Sequence, residues 1–215
     1  MIEVKGLNLA FTKEYYALYN INLNIENGEK VSLLGDSLSG KTTLLRVLCG
    51  LEAYKEGTVY LKDKNLKNID FEKDIELGYI SHKPIFFNNK TVYENLYYVL
   101  KIRHIDEVNI AIKINEVLKN YQIESLAHLK IKVLSSFQKT LVQLARVSLR
   151  EIELYLIDNI FNNCTMEEKQ ILAKHIVELE KKDATFIIAT SDKELAKQLS
   201  TRIISLKYGS IEKED

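Results

Sequence analysis

The sequence contains little proline, glycine or cysteine. Of its 215 residues one is proline, eight are glycine, two are cysteine and none is tryptophan. This scarcity of turn-forming residues excludes flexible linkers and low-complexity segments. Cys49 and Cys164 lack paired spacing, which excludes a disulfide scaffold and indicates a reducing compartment, the cytoplasm. No apolar run approaches the roughly 20 residues that a membrane-spanning helix needs.

An excess of charge of either sign is also missing. Thirty Lys and Arg residues balance thirty Asp and Glu residues, so the net charge gives no indication of nucleic acid as a partner. The hydrophobic content of 46% and charged content of 28% are typical of a globular protein. The length suits one domain with a subdomain. We therefore expect any membrane role to depend on a partner.

The most informative stretch is 35–43, with the sequence GDSLSGKTT. It fits the phosphate-binding pattern G-x-x-x-x-G-K-[ST]. The apolar run 30–34 before it predicts a buried strand, and 44–48 after it predicts a helix closed by Gly50. Unpaired N–H groups at a helix N-terminus bind anions. We therefore expect a nucleoside triphosphate site rather than a chance match in a surface loop. Its residues are Gly35, Asp36, Ser37, Leu38, Ser39, Gly40, Lys41, Thr42 and Thr43.

Two side chains of this loop and one distant aspartate predict a Mg²⁺-nucleotide site. Lys41 is expected to reach the β- and γ-phosphates and the Thr42 hydroxyl to ligate Mg²⁺. Asp158 follows the unbroken apolar run 154–157, which is typical of a parallel strand buried on both faces. Ligands of α/β sheets bind at the carboxyl ends of such strands. Asp158 is therefore expected to bind Mg²⁺ directly or through water, with a helix cap as the alternative.

The remaining pattern predicts an α/β fold with a helical block. Alternating apolar residues in 2–34 indicate strands, whereas 88–150 shows helical spacing throughout, with Thr91 as a helix cap. Apolar runs at 154–157 and 185–189 and a hairpin at 203–211 return the chain to the sheet. Four aromatic residues crowd the loop between the first two strands. One is expected to stack on adenine unless all of them pack ordinarily; they are Phe11, Tyr15, Tyr16 and Tyr19.

This order of elements resembles the ATP-binding subunit of ABC transporters along essentially the whole chain. The segment Leu134-Ser135-Ser136-Phe137-Gln138 is similar to the family signature Leu-Ser-Gly-Gly-Gln. The resemblance implies a P-loop NTPase fold of ABC type, with an N-terminal antiparallel β subdomain. Its mixed α/β core would be 1–87 and 151–215, and its inserted helical subdomain 88–150. The cofactors implied are ATP and Mg²⁺, with Phe11 on the adenine and Ser135 on the γ-phosphate of the partner subunit's nucleotide. Gln138 is a further nucleotide-binding residue that the resemblance implies.

Several positions depart from the family pattern. Asn159 stands at the catalytic glutamate, Ser191 at the switch histidine and His82 at the glutamine that enters the helical block. An amide is not basic enough to accept a proton from water, although it can still orient that water. Serine cannot carry positive charge to the γ-phosphate, whereas a neutral imidazole keeps hydrogen-bonding capacity. Hydrolysis is therefore expected to be weak.

The comparison with the family pattern identifies further replaced residues, candidate ligands and alternatives. Leu38 replaces a usual glycine of the phosphate loop, and Ser136 and Phe137 replace the two signature glycines. The resemblance also implies that His82 is a candidate metal ligand, together with Thr42 and Asp158. An efficient ATPase that uses another base is disfavoured, and Asp192 and Glu194, which flank Ser191, are the only nearby candidates for such a base. The helical block with its near-signature disfavours a small-molecule kinase.

The resemblance also implies partners. Two ATP-binding subunits of this family close head-to-tail, and we expect a competent second subunit rather than a homodimer. A transmembrane permease is expected to dock near 85–87, unless those apolar residues pack in the helical block. The chain would then be cytoplasmic, held at the inner face of the membrane by the permease, with a peptide as the expected cargo. The alternative is a soluble regulatory or scaffold protein that uses ATP as a conformational ligand.

Overall fold

The structure, a computed structural model, describes residues 1–12, 16–180 and 183–214. Tyr15 lies outside the described residues. The chain divides into two compact units, the first from 1–81, 153–160 and 180–215 and the second from 82–152 and 161–179. Within the described ranges, no helix combines the length and the apolar character needed to cross a membrane.

Among the described residues, ten strands and six α-helices form the two units. The strands are β1 (Ile2–Ala10), β2 (Tyr16–Ile25), β3 (Lys30–Leu34), β4 (Glu56–Leu61), β5 (Lys64–Asn65), β6 (Leu77–Ser81), β7 (Leu154–Asp158), β8 (Thr185–Thr190), β9 (Arg202–Lys207) and β10 (Ser210–Glu214). The helices are α1 (Lys41–Leu48), α2 (Val92–Lys101), α3 (Glu107–Asn120), α4 (Ser136–Ser148), α5 (Met166–Glu178) and α6 (Lys193–Leu199).

The first unit contains an antiparallel N-terminal sheet in the order β2-β1-β4-β5. Val4 and Leu7 of β1 are both buried although an odd spacing would place them on opposite faces. The pairing register shifts between these two residues, where Gly6 has a φ of +56°. This bulge returns the apolar residues to the buried face, so the strand keeps one continuous core side.

The second sheet of this unit has the order β10-β9-β3-β8-β7-β6. Its strands pair in parallel except for the edge hairpin of β9 and β10. Every residue of β7 and β8 is buried, which explains why their sequences are unbroken apolar runs rather than alternating ones. Because β3, β7 and β8 are parallel, their carboxyl ends lie at one edge of the sheet, and the phosphate loop follows β3 there.

The second unit is helical, and each of its four long helices begins at a side-chain cap. Thr91, Ser135 and Thr165 form capping boxes at α2, α4 and α5, and Asp106 caps α3. The Thr91 cap was predicted from the sequence. Helix α5 packs as part of this unit, whereas the sequence-based division assigned it to the α/β core with the rest of 151–215. Its His175 ring stacks on Tyr121 at 4.4 Å between ring centroids, a contact that local sequence does not encode.

The buried Asn95 side chain fixes the apolar loop 85–87. Its Oδ1 accepts from the Phe87 N–H at 2.9 Å, and its Nδ2 donates to the carbonyls of Phe87 at 3.3 Å and Thr91 at 2.8 Å. Arg146 adds a bond from Nη1 to the Ile85 carbonyl at 2.8 Å and covers the half-buried Phe86 ring. Ile85 and Phe87 remain 85% and 62% exposed. The loop therefore fits both alternatives in part. Phe86 packs in the helical unit, whereas Ile85 and Phe87 are exposed and available for docking.

Replacing Asn95 with alanine is expected to lower the free energy of unfolding by about 1–3 kcal/mol, because the Phe87 N–H loses its acceptor and the side-chain bonds to the Phe87 and Thr91 carbonyls are removed. Urea denaturation of the two proteins measures the difference. Asn120→Ala, at an exposed position on the end of α3, is the matched control and should change stability by less than about 0.5 kcal/mol. Equal values for both variants would show that the Asn95 bonds do not hold the loop.

Candidate nucleotide site

Two glycines of the phosphate loop are required by close backbone approach. A Cβ on Gly35 would lie 2.3 Å from the Leu206 carbonyl oxygen, and one on Gly40 would lie 2.6 Å from that of Ala17. Gly40 is also the N-cap of α1, with a φ of +101° that side chains rarely adopt. The loop therefore packs against neighbouring backbone while it delivers the first N–H groups of α1 to a single place.

Leu38 keeps the backbone conformation that glycine would have adopted. Its φ is +66° and its side chain is 83% exposed. A left-handed conformation costs a residue with a Cβ about 1–2 kcal/mol. Because the side chain is exposed, little burial offsets this cost. The loop thus retains its geometry despite the substitution.

The Lys41 ammonium forms hydrogen bonds to several residues of the phosphate loop. It donates to the carbonyls of Gly35 at 2.6 Å and Asp36 at 2.8 Å and to Ser39 Oγ at 3.0 Å. Burial lowers the pKa of Lys41, while the charges of Asp158 and Asp36 act in the opposite direction. A charged donor that crosses the loop in this way is suited to bind phosphate oxygens placed above it.

Asp158 lies at the carboxyl end of β7 beside the phosphate loop, as predicted. Its Oδ1 accepts from Thr42 Oγ1 at 2.8 Å and its Oδ2 from the Tyr79 hydroxyl at 3.0 Å. Thr165, not Asp158, caps the following helix, so the helix-cap alternative does not apply. Burial and the Asp158 charge raise the pKa of Tyr79, which therefore remains a protonated donor.

Tyr79 was not identified from the sequence. It occupies an apolar strand, where a tyrosine normally indicates packing. Its role depends on the pairing of β6 with β7, which sets Ser81 opposite Asp158 and brings the tyrosine within reach of the carboxylate. The sequence signal for this contact is a tyrosine two residues before the end of β6. It indicates a partner for Asp158 only when β6 is known to pair with β7.

The residues at this edge fit a magnesium ion. Asp158 is 1% exposed and its carboxylate bonds to neutral donors, so a cation there would supply a missing charge. Across the described ranges, no group of three or more His, Cys, Asp or Glu residues could hold a metal ion. Thr42 and Asp158 therefore provide only part of a coordination shell. This suits Mg²⁺, which takes few protein ligands and completes its shell with phosphate oxygens and water.

Asn159 turns its amide toward the same two residues. Its Nδ2 donates to Asp158 Oδ1 at 2.8 Å and to Thr42 Oγ1 at 3.4 Å. The backbone has a φ of +51°, a region that asparagine tolerates better than most residues, and its N–H donates to the Ala189 carbonyl at 3.0 Å. The position predicted for a catalytic base thus carries a hydrogen-bond donor.

Ser191 lies next to the start of the phosphate loop. Leu34 pairs with Thr190 in the parallel ladder, and the Gly35 N–H donates to the Thr190 carbonyl at 3.3 Å. Ser191 and the loop line a common cleft of about 1060 Å³. Lys193, Tyr16 and Tyr19 also line it. Lys193 was not identified from the sequence because an exposed lysine on a helix carries no distinctive pattern.

The two candidate substitute bases, Asp192 and Glu194, have structural roles. Asp192 caps α6 and accepts from the N–H groups of Glu194 and Leu195, both at 3.2 Å. Glu194 is exposed and pairs with Lys197. Both carboxylates therefore already have hydrogen-bond or ion-pair partners within α6.

The other predicted residues are distributed between the two units. Phe11 is 57% exposed in the first unit, and its contact with adenine stays a prediction. His82 is an exposed residue that begins the helical unit. In the same unit Ser135 Oγ accepts from the Gln138 N–H at 3.1 Å, and Gln138 Oε1 accepts from the Ser135 N–H at 3.0 Å. The structure therefore brings together the phosphate loop, Asp158, Asn159 and Ser191 within the first unit.

Comparisons with known proteins agree with this geometry. A sequence model of the family described as "ABC transporter" matches residues 18–162. The chain is 33% identical over 199 residues to the sulfate/thiosulfate import ATP-binding protein CysA of Mesostigma viride, covering 92% of this chain and 57% of that protein. It is 30% identical over 197 residues to the spermidine/putrescine import ATP-binding protein PotA of Legionella pneumophila, covering 91% and 54%. The chain thus spans little more than half the length of these two relatives.

Solved structures give the same result for the fold. The dimeric post-hydrolysis state of the ATP-binding cassette MJ0796, bound to ADP and Pi, superposes with a TM-score of 0.88 at 26% identity. The superposition covers 100% of this chain and 98% of that one. The predicted fold class, with its mixed sheet, antiparallel β subdomain and helical subdomain, is confirmed, as is the resemblance seen in the sequence.

Proposed function

The chain belongs to the ABC transporter family, and on that premise we propose that it is the ATP-binding subunit of a transporter. One observation carries the proposal: the Thr42 hydroxyl at the start of α1 lies 2.8 Å from the Asp158 carboxylate at the end of β7, and the charge of this carboxylate acts on the Lys41 ammonium. A hydroxyl, a carboxylate and an ammonium grouped at a glycine loop match the phosphates and the metal ion of a nucleoside triphosphate.

The residues of the loop bind the nucleotide in distinct ways. The N–H groups at the start of α1 and the Lys41 ammonium bind the phosphate oxygens. Thr42 and Asp158 would hold Mg²⁺, with His82 as a further candidate ligand, and the ion would supply positive charge that shields the phosphates. Phe11 supplies a flat surface for adenine. The chain thereby orients the triphosphate at the edge of the second sheet.

Hydrolysis by this subunit is proposed to be weak. The Asn159 amide cannot remove a proton from water, and the Ser191 hydroxyl cannot bring a charge to the γ-phosphate. His82 retains hydrogen-bonding capacity at the position where the family has glutamine. Binding of ATP, rather than its turnover, is therefore the main contribution that we propose for this chain.

A second ATP-binding subunit is the first proposed partner. The MJ0796 cassette was solved as a dimer, and its likeness to this chain supports a comparable arrangement. In that arrangement Ser135 and Gln138 would approach the nucleotide of the opposite subunit. Phe137 has a large ring at a signature position where glycine lets the backbone approach phosphate. A heterodimer with a competent subunit is therefore proposed over a homodimer.

A transmembrane permease is the second proposed partner, and it would hold the chain at the inner face of the membrane. CysA and PotA are named as import subunits, which favours a transporter over a soluble regulatory or scaffold protein. Neither of their names concerns peptides, and a peptide cargo stays a prediction. The exposed Ile85 and Phe87 side chains are the proposed contact with the permease.

Ile85→Asp is expected to reduce co-purification of the chain with its permease at least tenfold, because docking would have to desolvate the new carboxylate. The measurement is the amount of permease retained by the tagged subunit from detergent-solubilised membranes. Ile102→Asp is the matched control, since Ile102 is an exposed isoleucine just after α2, and it should retain the permease. Loss with both variants would argue against a specific contact at 85–87, and a chain that retains no membrane protein would support the scaffold alternative.

A further inference from the structure

The Asn159 amide bonds to the two side chains that a magnesium ion would use. Its Nδ2 lies 2.8 Å from Asp158 Oδ1 and 3.4 Å from Thr42 Oγ1. These two oxygens are themselves 2.8 Å apart. An amide N–H₂ group carries two donors and no acceptor, so it directs the positive end of its dipole at both oxygens. The amide thus takes up acceptor positions on both oxygens.

The surrounding bonds hold the carboxylate and the amide in this arrangement. Asp158 Oδ2 accepts from the Tyr79 hydroxyl at 3.0 Å, so the second carboxylate oxygen has a donor of its own. The Asn159 N–H bonds to the Ala189 carbonyl at 3.0 Å, and its φ of +51° sets the direction of the side chain. The buried carboxylate therefore has three neutral donors from three different side chains, Thr42, Tyr79 and Asn159.

We propose that Asn159 acts as an internal substitute for the metal ion, so that this chain binds ATP with little dependence on Mg²⁺. The amide satisfies the buried carboxylate when no divalent ion is present, and Mg²⁺ has to displace it to reach Thr42 and Asp158. A glutamate at this position would supply an additional acceptor and no donor, so it would have the opposite effect. The inference rests on the proposed function, because it requires the nucleotide to bind at 35–43.

The test is the equilibrium affinity for a fluorescent ATP analogue, measured in saturating Mg²⁺ and in EDTA. For the unchanged chain the two dissociation constants should differ by less than about fivefold. For Asn159→Gly the ratio should rise by about tenfold, the scale expected when one or two side-chain hydrogen bonds no longer compete with the ion. Glycine is the chosen replacement because it accommodates a φ of +51° without strain. Asn159→Asp, which keeps the shape and removes the donor, should raise the ratio in the same direction.

Tyr79→Phe is the matched control. It also removes one neutral donor from Asp158, but at Oδ2 and without a contact to Thr42. A rise in the ratio for Asn159→Gly and little change for Tyr79→Phe would support the substitute role. An unchanged ratio in both Asn159 variants, or an equal rise with Tyr79→Phe, would overturn it. If the unchanged chain binds no ATP in either condition, the proposed function itself fails, and this outcome is distinct from binding with an unaltered ratio.

Discussion

Replacing Lys41 with alanine is expected to weaken ATP binding by about 10²–10³-fold. The ammonium is the charged donor of the phosphate loop, and hydrogen bonds to charged groups contribute about 1.5–3 kcal/mol each. The loss of two bonds at the lower end of that range, about 3–4 kcal/mol in total, corresponds to the expected weakening. The dissociation constant of a fluorescent ATP analogue, in Mg²⁺ and in EDTA, provides the measurement.

Two controls separate this effect from others. Lys55→Ala removes the same charge at an exposed position of the first unit and should leave the affinity within about twofold, since a distant surface charge is screened by salt. Lys41→Met keeps most of the side-chain volume. It should bind ATP as poorly as Lys41→Ala. Poor binding by both variants would show that the loop needs the ammonium, which bonds to Gly35, Asp36 and Ser39, and that side-chain volume at this position is not sufficient. Affinity within tenfold of the unchanged chain in both Lys41 variants would contradict the assignment of residues 35–43 as the phosphate site.

Asn159→Glu is expected to raise the rate of ATP turnover by about 10–10²-fold. A positioned general base typically contributes 10²–10⁴-fold, and we expect the lower part of this range because Ser191 still lacks the charge of a histidine. Glutamate at a φ of +51° also pays about 1 kcal/mol of backbone strain, which reduces the fraction of correctly placed side chains. Release of inorganic phosphate under saturating Mg²⁺ and ATP measures the rate.

Asn159→Gln is the control for this gain, because it has the length of glutamate without its basicity. Turnover should rise with glutamate and stay at the level of the unchanged chain with glutamine. Combining Asn159→Glu with Ser191→His should increase the rate further, since the histidine restores a charged donor beside the phosphate loop. Fast turnover by the unchanged chain, abolished in Lys41→Ala, would show that another group serves as the base and that hydrolysis is not impaired.

The parts of the site that are formed by residues close together in the sequence could be predicted from the sequence. The phosphate loop, the Thr91 cap and the buried strand before Asp158 each depend on residues within a few positions of one another, and all were predicted. The carboxylate was also placed correctly beside the loop, because the ends of parallel strands meet at one edge of a sheet. These features follow from hydrogen-bonding pattern and apolar spacing alone.

The features that sequence did not predict depend on strand order and backbone torsion. Tyr79 reaches Asp158 only because β6 pairs with β7, a neighbour more than seventy positions away in the chain. The direction of the Asn159 amide follows from its positive φ, and no pattern of residue types indicated that value. Helix α5 joins the helical unit through packing such as the stacking of His175 on Tyr121. Each of these depends on contacts between segments that are distant in sequence.

The pairing of Thr42 with Asp158 also has a consequence for folding. The two residues are separated by 116 positions, and β3 and β7, the strands that precede them, are joined in the sheet only through β8. Completion of the nucleotide site therefore requires contacts of long sequence separation. A nucleotide that binds there joins segments from both halves of the sequence and acts as a noncovalent cross-link, and mass action stabilises the folded state by an amount that grows with ligand concentration. Even without rapid hydrolysis, ATP would thus protect the first unit against unfolding and proteolysis.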